Sequence, residues 1–320
     1  MELLIPKGWS DYELIDTGGR EKLERFGSYI LIRPEPQAVW KKSMPEEEWS
    51  ELAHARYTRK SGGQGGRGPE VLEERGSWQK QAEMPDQWLI GYQYGEMALK
   101  FRLGLTSFGH IGVFPEQAEN WRFIYDAIMD GNKLRAQGEE SSSHPVIRVL
   151  NLFAYTGGAS LAARAAGADV VHVDSVKQVI SWAREDMGLS RLDGIRWVVE
   201  DALKFVRREV KRGNKYDGII LDPPAYGRGP EGEKWALGEY IDEMVSLCSE
   251  LLRAQGSGHR AQASFFILSL YSMGFSSLIG ENLIRSHFGK EVEIQSGEFC
   301  FTDRAGRMLP LGIVARASLK

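Results

Sequence analysis

The sequence predicts an α/β fold: a parallel sheet with helices on both faces, joined to a smaller N-terminal β-rich domain. Three observations predict it. From about residue 146 short apolar runs alternate with helical patterns. The stretch before about residue 107 instead carries strand-like runs and a tight turn. The length, 320 residues, suffices for one large domain or two ordinary ones.

In the first part, strands are expected at residues 29–33, 88–94 and 97–103, the last two joined by a turn at Gly95-Glu96. Leu99, Phe101 and Leu103 alternate there with Lys100 and Arg102, the period of a half-buried strand. These runs suggest a small antiparallel domain spanning residues 1–107. Within it, residues 59–69 (RKSGGQGGRGP) are too glycine-rich to pack and read as a mobile surface loop in preference to an RNA-binding Arg-Gly segment. In the second part, residues 108–320, strands are expected at 146–152, 169–174, 195–199, 216–221, 264–269, 291–297 and 312–317. Helices are expected at 157–166, 176–187, 202–212 and 237–254.

Composition narrows the function classes. A formal net charge of −4 announces no broad polybasic surface, although a local stripe is enough for phosphate contacts. Cys248 and Cys300 are the only cysteines, with no C-x-x-C and no clustered histidines, so neither a disulfide framework nor a metal site is expected. Residues 1–9 lack a signal pattern and no apolar run approaches a membrane span, which leads to a cytoplasmic expectation with no membrane partner. Nothing in the chain speaks to oligomeric state.

The chemistry concentrates at the ends of the expected strands. The first runs into Leu152-Phe153-Ala154-Tyr155-Thr156-Gly157-Gly158, where two glycines ahead of a helix let backbone approach a ligand and aim free N–H groups at it. About twenty residues on, the second strand ends at Asp174-Ser175, an acidic residue placed for ribose hydroxyls. The third leads to Asp201-Ala202. The fourth ends in Asp222-Pro223-Pro224-Ala225-Tyr226, where two prolines remove N–H groups and leave an acceptor-only rim suited to a substrate N–H donor, with Tyr226 free to stack on a planar ring.

This ordered set resembles class I S-adenosylmethionine (SAM) dependent methyltransferases. The L-N-x-F-x-Y-T-G-G and L-D-P-P-x-Y pairs are similar to the branch of large-subunit ribosomal RNA methyltransferases of the cytosine-5 and guanine-N7 types. Upstream, H-I-G-V-F-P-E-Q-A-E-N at residues 110–120 is similar to the segment preceding the core in that branch, so the resemblance covers roughly residues 108–317. It implies a Rossmann-like seven-stranded sheet with a reversed final hairpin, SAM as cofactor, and methyl transfer to a base in RNA, plausible in ribosomal RNA processing. It further implies that Phe153, Ala154, Tyr155, Gly157 and Gly158 line the methionine portion of SAM. Asp174 would accept from the ribose hydroxyls beside Ser175, Asp201 and Ala202 would read the adenine edge, and Phe114 and Gln117 would close the pocket. Asp222, Pro223, Pro224 and Tyr226 would face the acceptor as the catalytic set.

Two departures matter. Cytosine-5 members carry Ser-Cys-Ser after the fifth strand, whereas residues 269–273 here read SLYSM, so a thiolate-adduct route to 5-methylcytosine is not expected. Adenine-N6 enzymes place an aromatic directly after the two prolines, and here Ala225 intervenes. The basic run Lys204, Arg207, Arg208, Lys211, Arg212 and Lys215 reads by default as a solvated helix face. His110 reads as pocket-lining, and residues 228–235 as a lid or specificity loop. Methylation of a small molecule or protein side chain, and a non-catalytic SAM-binding module, stand as alternatives.

Overall fold

The computed structural model describes residues 2–59, 76–136, 146–252, 264–271, 274–290 and 292–319. The chain begins with a short strand, β1 (Glu2–Leu4), and then forms β2 (Tyr12–Gly18), β3 (Glu21–Phe26), β4 (Tyr29–Pro34), the helix α1 (Glu46–Leu52), β5 (Ala55–Arg59) and β6 (Gly76–Lys80). Strands β2 to β6 make a five-stranded sheet in sequential order. The sequence leads to an antiparallel expectation, and this sheet is instead mixed. Because α1 carries the chain back across the sheet, β5 runs alongside β4 in parallel, pairing Leu31 with Ala55 and Ile32 with Arg56.

The next two strands, β7 (Gln87–Tyr94) and β8 (Met97–Gly104), form a separate hairpin rather than extending that sheet. After a 3-10 turn (Pro115–Gln117) and a long helix α2 (Ala118–Ala136), the chain builds its largest sheet. Its elements are β9 (Arg148–Leu152), α3 (Gly158–Ala165), β10 (Asp169–Asp174), α4 (Lys177–Leu189), β11 (Ile195–Val199), α5 (Ala202–Lys211) and β12 (Gly218–Leu221). A small hairpin follows, β13 (Tyr226–Arg228) with β14 (Lys234–Ala236). Then come α6 (Leu237–Leu251), β15 (Ser264–Leu270), α7 (Ser277–Phe288), β16 (Glu293–Thr302) and β17 (Met308–Leu319).

The sheet order is β1-β16-β17-β15-β12-β9-β10-β11. Seven strands give the expected architecture, with β17 antiparallel to both neighbours. The eighth, β1, adds itself parallel to β16 at one edge. Period-two alternation sends successive side chains to opposite faces. Val149, Val170, Ile220 and Phe265 enter one core with α2 and α3, while Leu150, Val171, Ile219 and Phe266 enter another with α5 and α6. The first of these cores continues without a break into Tyr12, Phe26, Leu31 and Phe101 of the N-terminal region.

The outer edge of β8 is covered by side chains of α4 in place of another strand. Asp186 Oδ1 accepts from Arg102 N at 2.8 Å, Ser190 Oγ accepts from Lys100 N at 2.9 Å, and Trp182 Nε1 donates to Arg102 O at 2.6 Å. This satisfies an edge that would otherwise be sticky. The five-stranded sheet is tied to the β16–β17 turn by a buried polar knot: Thr17 Oγ1 donates to Asp303 at 2.8 Å, and Arg307 binds both Asp303 and Asp16. The glycine-rich loop expected at 59–69 lies outside the described residues, apart from Arg59 at the end of β5. No helix among the described residues is long and apolar enough to cross a membrane.

Candidate active site

Parallel strands that end together leave a crevice where the order reverses, here between β9, from which the chain proceeds to β10 and β11, and β12, from which it proceeds the other way to β15. The loop leaving β9 is strained: Phe153 and Tyr155, neither a glycine, sit at φ 54° and 49°, and Gly157 follows at φ 87°. Left-handed backbone at non-glycine residues persists only when its surroundings hold it. Asp174 is the holder. Its Oδ2 accepts from Tyr155 N and its Oδ1 from Val176 N, both at 2.9 Å. Burial pushes its carboxyl above the usual range, while the N–H groups of Val176, Tyr155 and Ser175 pull the other way.

The two glycines have separate causes. Gly157 supplies the positive φ, whereas a Cβ on Gly158 would lie 2.5 Å from the Trp121 ring of α2, so the second glycine serves packing as well as any ligand. Below the loop, Asn151 Nδ2 donates to Ser160 Oγ at 2.9 Å, and that hydroxyl meets His172 Nδ1 at 3.0 Å. Burial drives His172 down to about 3, so this ring is neutral and structural.

A cleft opens above the strand ends, lined by Phe153, Asp174, Ser175, Asp201, Ala202, Pro224, Gly227, Arg228 and Trp235. Asp201 caps α5, its Oδ1 accepting from Lys204 N at 2.8 Å. The structure thus brings five of the sequence-predicted cofactor residues and Pro224 to one cavity. Ala154 is buried and is not among the residues lining that cavity. Tyr226 is not among its lining residues: it is 47% exposed on β13, paired across to Ala236. Residues 228–235 form the β13–β14 turn, and Arg228 and Trp235 at its two ends line the same cleft as Asp174 and Asp201. Trp235 is a buried anchor whose Nε1 donates to Pro224 O at 2.7 Å and whose ring lies 4.8 Å from that of Phe153. The rim after Asp222 is therefore less open than two prolines suggest, because one of its carbonyls is already taken.

Asp222 directly follows β12 and is not among the residues lining this cleft. Gln117 Nε2 donates to its Oδ2 at 3.1 Å and also to the Tyr271 hydroxyl at 2.8 Å. Burial, and then the nearby carboxylate of Glu116, push Asp222 up to about 8. Glu116 and Tyr271 are likewise raised, burial first in each case. Four rings extend this wall: His110 to Phe114 5.4 Å, Phe114 to Tyr155 5.4 Å, His110 to Tyr155 6.3 Å and Phe114 to Tyr271 6.0 Å between centroids. His110 remains reachable by solvent yet is hemmed in by protein, and desolvation with Arg33, Lys22 and Arg59 lowers it to about 4. Sequence reasoning named Phe114, Gln117 and Asp222 but missed Glu116 and Tyr271. The available signal was position: Tyr271 directly follows β15, at the same end of the sheet.

Neither cysteine joins this group. Cys248 is buried on α6 and Cys300 on β16, and burial raises both thiols, Cys300 to about 11. The basic run is largely matched by acids: Lys204 by Glu231 and Glu233, Arg207 by Glu243, Arg208 by Glu200 and Arg212 by Glu209. Lys215 donates to the Glu250 carbonyl. A solvated helix face accounts for it.

The chain can now be set beside known proteins. Residues 86–257 match the family model described as S-adenosylmethionine-dependent methyltransferase. A solved SAM-dependent methyltransferase from Agrobacterium tumefaciens is 34% identical, with a TM-score of 0.82 over 100% of this chain and 94% of that one. Among curated proteins, a putative ribosomal RNA large subunit methyltransferase of Methanocaldococcus jannaschii is 37% identical over 131 residues, 40% of this chain and 30% of its own length. Ribosomal RNA large subunit methyltransferase K/L of Shewanella frigidimarina is 30% identical over 165 residues, 50% of this chain and 21% of its own. The chain therefore spans less than a third of the length of these two curated relatives. Strand order, the crevice at its reversal and a family match over more than half of the residues agree, and the chain belongs to the S-adenosylmethionine-dependent methyltransferases.

Proposed function

We propose that the protein methylates a base in RNA, with ribosomal RNA the favoured substrate, and that the two ends of the crevice divide the work. Asp174 and Asp201, two carboxylates at neighbouring strand ends, fit the hydroxyl and amine donors of a nucleoside, with Ser175, Ala202 and Phe153 around them. Phe114, Tyr155, Gly157 and Gly158 belong to the same binding surface in this reading, and Gln117 bridges to the acceptor end. Bound there, SAM supplies a methyl carbon made electrophilic by its sulfonium.

The observation that carries the reading is the convergence of Asp222 with the ring wall of His110, Phe114, Tyr155 and Tyr271. Such a wall suits a planar base presented edge-on, and Asp222 accepts the N–H of an attacking amine and offsets the positive charge that develops on it. Holding the partners at about 3 to 3.5 Å recovers much of the barrier without further chemistry from the protein. Pro223 and Pro224 stiffen the turn that aims Asp222. Tyr226, on the exposed hairpin, is assigned to contact with the substrate strand outside the crevice. Both thiols lie in the core, which favours nitrogen over the cytosine-5 carbon as acceptor. A reducing cytoplasm suits two such thiols.

The names of the curated relatives support RNA as the substrate class. The test is transfer of labelled methyl from SAM into an extract of cells lacking the protein, followed by separate RNase and protease digestion. Label released by RNase is the expected result. Label that resists RNase moves the substrate to protein or a small molecule.

A further inference from the structure

The wall behind Asp222 contains a chain of buried hydrogen bonds that reaches β17. Arg316 Nε donates to Asn120 Oδ1 at 2.9 Å. Asn120 Nδ2 donates to Gln117 Oε1 at 2.7 Å and to Ser269 Oγ at 3.1 Å. Gln117 Nε2 then donates to Asp222 and to the Tyr271 hydroxyl. Arg316, Asn120 and Ser269 are all buried.

Two side-chain amides in such a chain have two self-consistent orientations. In the second, both are turned round: Ser269 and Gln117 donate to the Asn120 oxygen, and Gln117 offers its carbonyl to Asp222 and Tyr271. That arrangement requires a proton on Asp222. A guanidinium has donors and no acceptor, so only the first orientation lets Asn120 meet Arg316 favourably.

We propose that Arg316 is a positioning residue that sets the polarity of the acceptor wall, forcing Gln117 to present its N–H groups to Asp222 and so favouring the ionised carboxylate able to receive a substrate N–H. The inference rests on the reading of Asp222 as the acceptor-facing group. The groups that face Asp222 are Gln117 and Glu116 from the turn before α2 and Tyr271 after β15. Those around Arg316 are Glu119 and Arg122 of α2, Glu2 of β1, Gln295 of β16 and the Phe123 ring. Burial brings Arg316 down only to about 10, so it is charged throughout the neutral range.

The test follows the Asp222 carboxyl by carbon NMR across pH in the full chain, its signal identified by its absence in Asp222→Asn. Arg316→Met should raise the titration midpoint by about one unit, the scale of one hydrogen bond to a charged group. Arg316→Lys, which keeps a donor-only partner, should restore it. Asn120→Ala should also raise it although the charge of Arg316 remains, and Arg316→Met should add nothing in a Gln117→Met background. An unchanged midpoint in folded Arg316→Met overturns the proposal. So does a shift that persists in the Gln117→Met background, which marks a through-space field. Should Arg316→Met fail to fold, an unshifted Asn120→Ala overturns it alone. Because the readout involves neither SAM nor acceptor, its failure is separable from a failure of the RNA assignment.

Discussion

Asp174 and Asp222 occupy equivalent places, each at the carboxyl end of a parallel strand of the largest sheet, yet their surroundings differ in kind. Asp174 receives backbone N–H groups from Tyr155, Val176 and Ser175, donors that cannot turn away. Asp222 receives one side-chain amide, faces a second carboxylate, Glu116, and is pushed up to about 8. Burial raises both carboxyls, and the difference teaches that fixed backbone donors hold the Asp174 oxygens in one orientation and oppose that rise, whereas the sparse side-chain shell of Asp222 leaves a carboxyl that exchanges its proton near neutrality.

The largest effect is expected at the exchanging end. Asp222→Asn should cut methyl transfer about 10²- to 10⁴-fold, the range for a lost acid–base group, with SAM affinity nearly unchanged. Since the ionised form is the competent one, the wild-type rate should climb as pH rises through about 8 and this climb should vanish in the variant. A flat wild-type profile under saturating substrate would break the contrast drawn above.

At the fixed end, Asp174→Ala should weaken SAM binding by about 10- to 100-fold, the loss of hydrogen bonds to a charged group, as read by calorimetry. Retained affinity there would remove Asp174 from the cofactor site. Gly158→Ala drives a methyl into the Trp121 ring and should cost about 1 to 3 kcal/mol in denaturant unfolding, without a pH-dependent change in rate. Equal stability of the two proteins would return that glycine to a purely ligand-driven role.

Asp186 offers a smaller comparison away from the crevice. Its Oδ1 is held by Arg102 N and burial raises it to about 8. The unfolded chain binds fewer protons than the folded one between the ordinary carboxylate value and about 8, so stability falls as pH rises through that window. Asp186→Asn should lack this decline, its melting temperature gaining on wild type from pH 5 to pH 9. Last, Cys300→Ala should leave methyl transfer unaltered in rate and product, and an inactive but folded variant would revive a thiol mechanism.

The transferase sheet was readable at β9, β10 and β12 because each is a short apolar run ending in a chemically marked turn. Its helices and order follow from that rhythm. The N-terminal sheet was readable only at β4, because β2 and β3 bury Asp16, Thr17 and Glu24 and so lack the apolar alternation of a half-buried strand. Those polar residues are satisfied by partners on other elements, Arg33 of the neighbouring β4 for Glu24 and Arg307, far along the chain, for Asp16. The same reason hid the relay behind Asp222. Arg316 and Asn120 are 196 residues apart, and no local pattern links them. Gln117, by contrast, lay inside a recognisable motif, though its orientation did not.

The strand β1 lies parallel to β16, and the hydroxyl of Thr17 meets Asp303 across 286 residues of chain. During synthesis the N-terminal sheet emerges long before these partners exist, and loop closure over such a span is slow. Asp16 must meanwhile rely on Ser43, Met44 and Trp49, which hold it from the connection between β4 and β5. The N-terminal sheet is thus equipped to wait, and the largest sheet gains its edge strand only when the final hairpin is made.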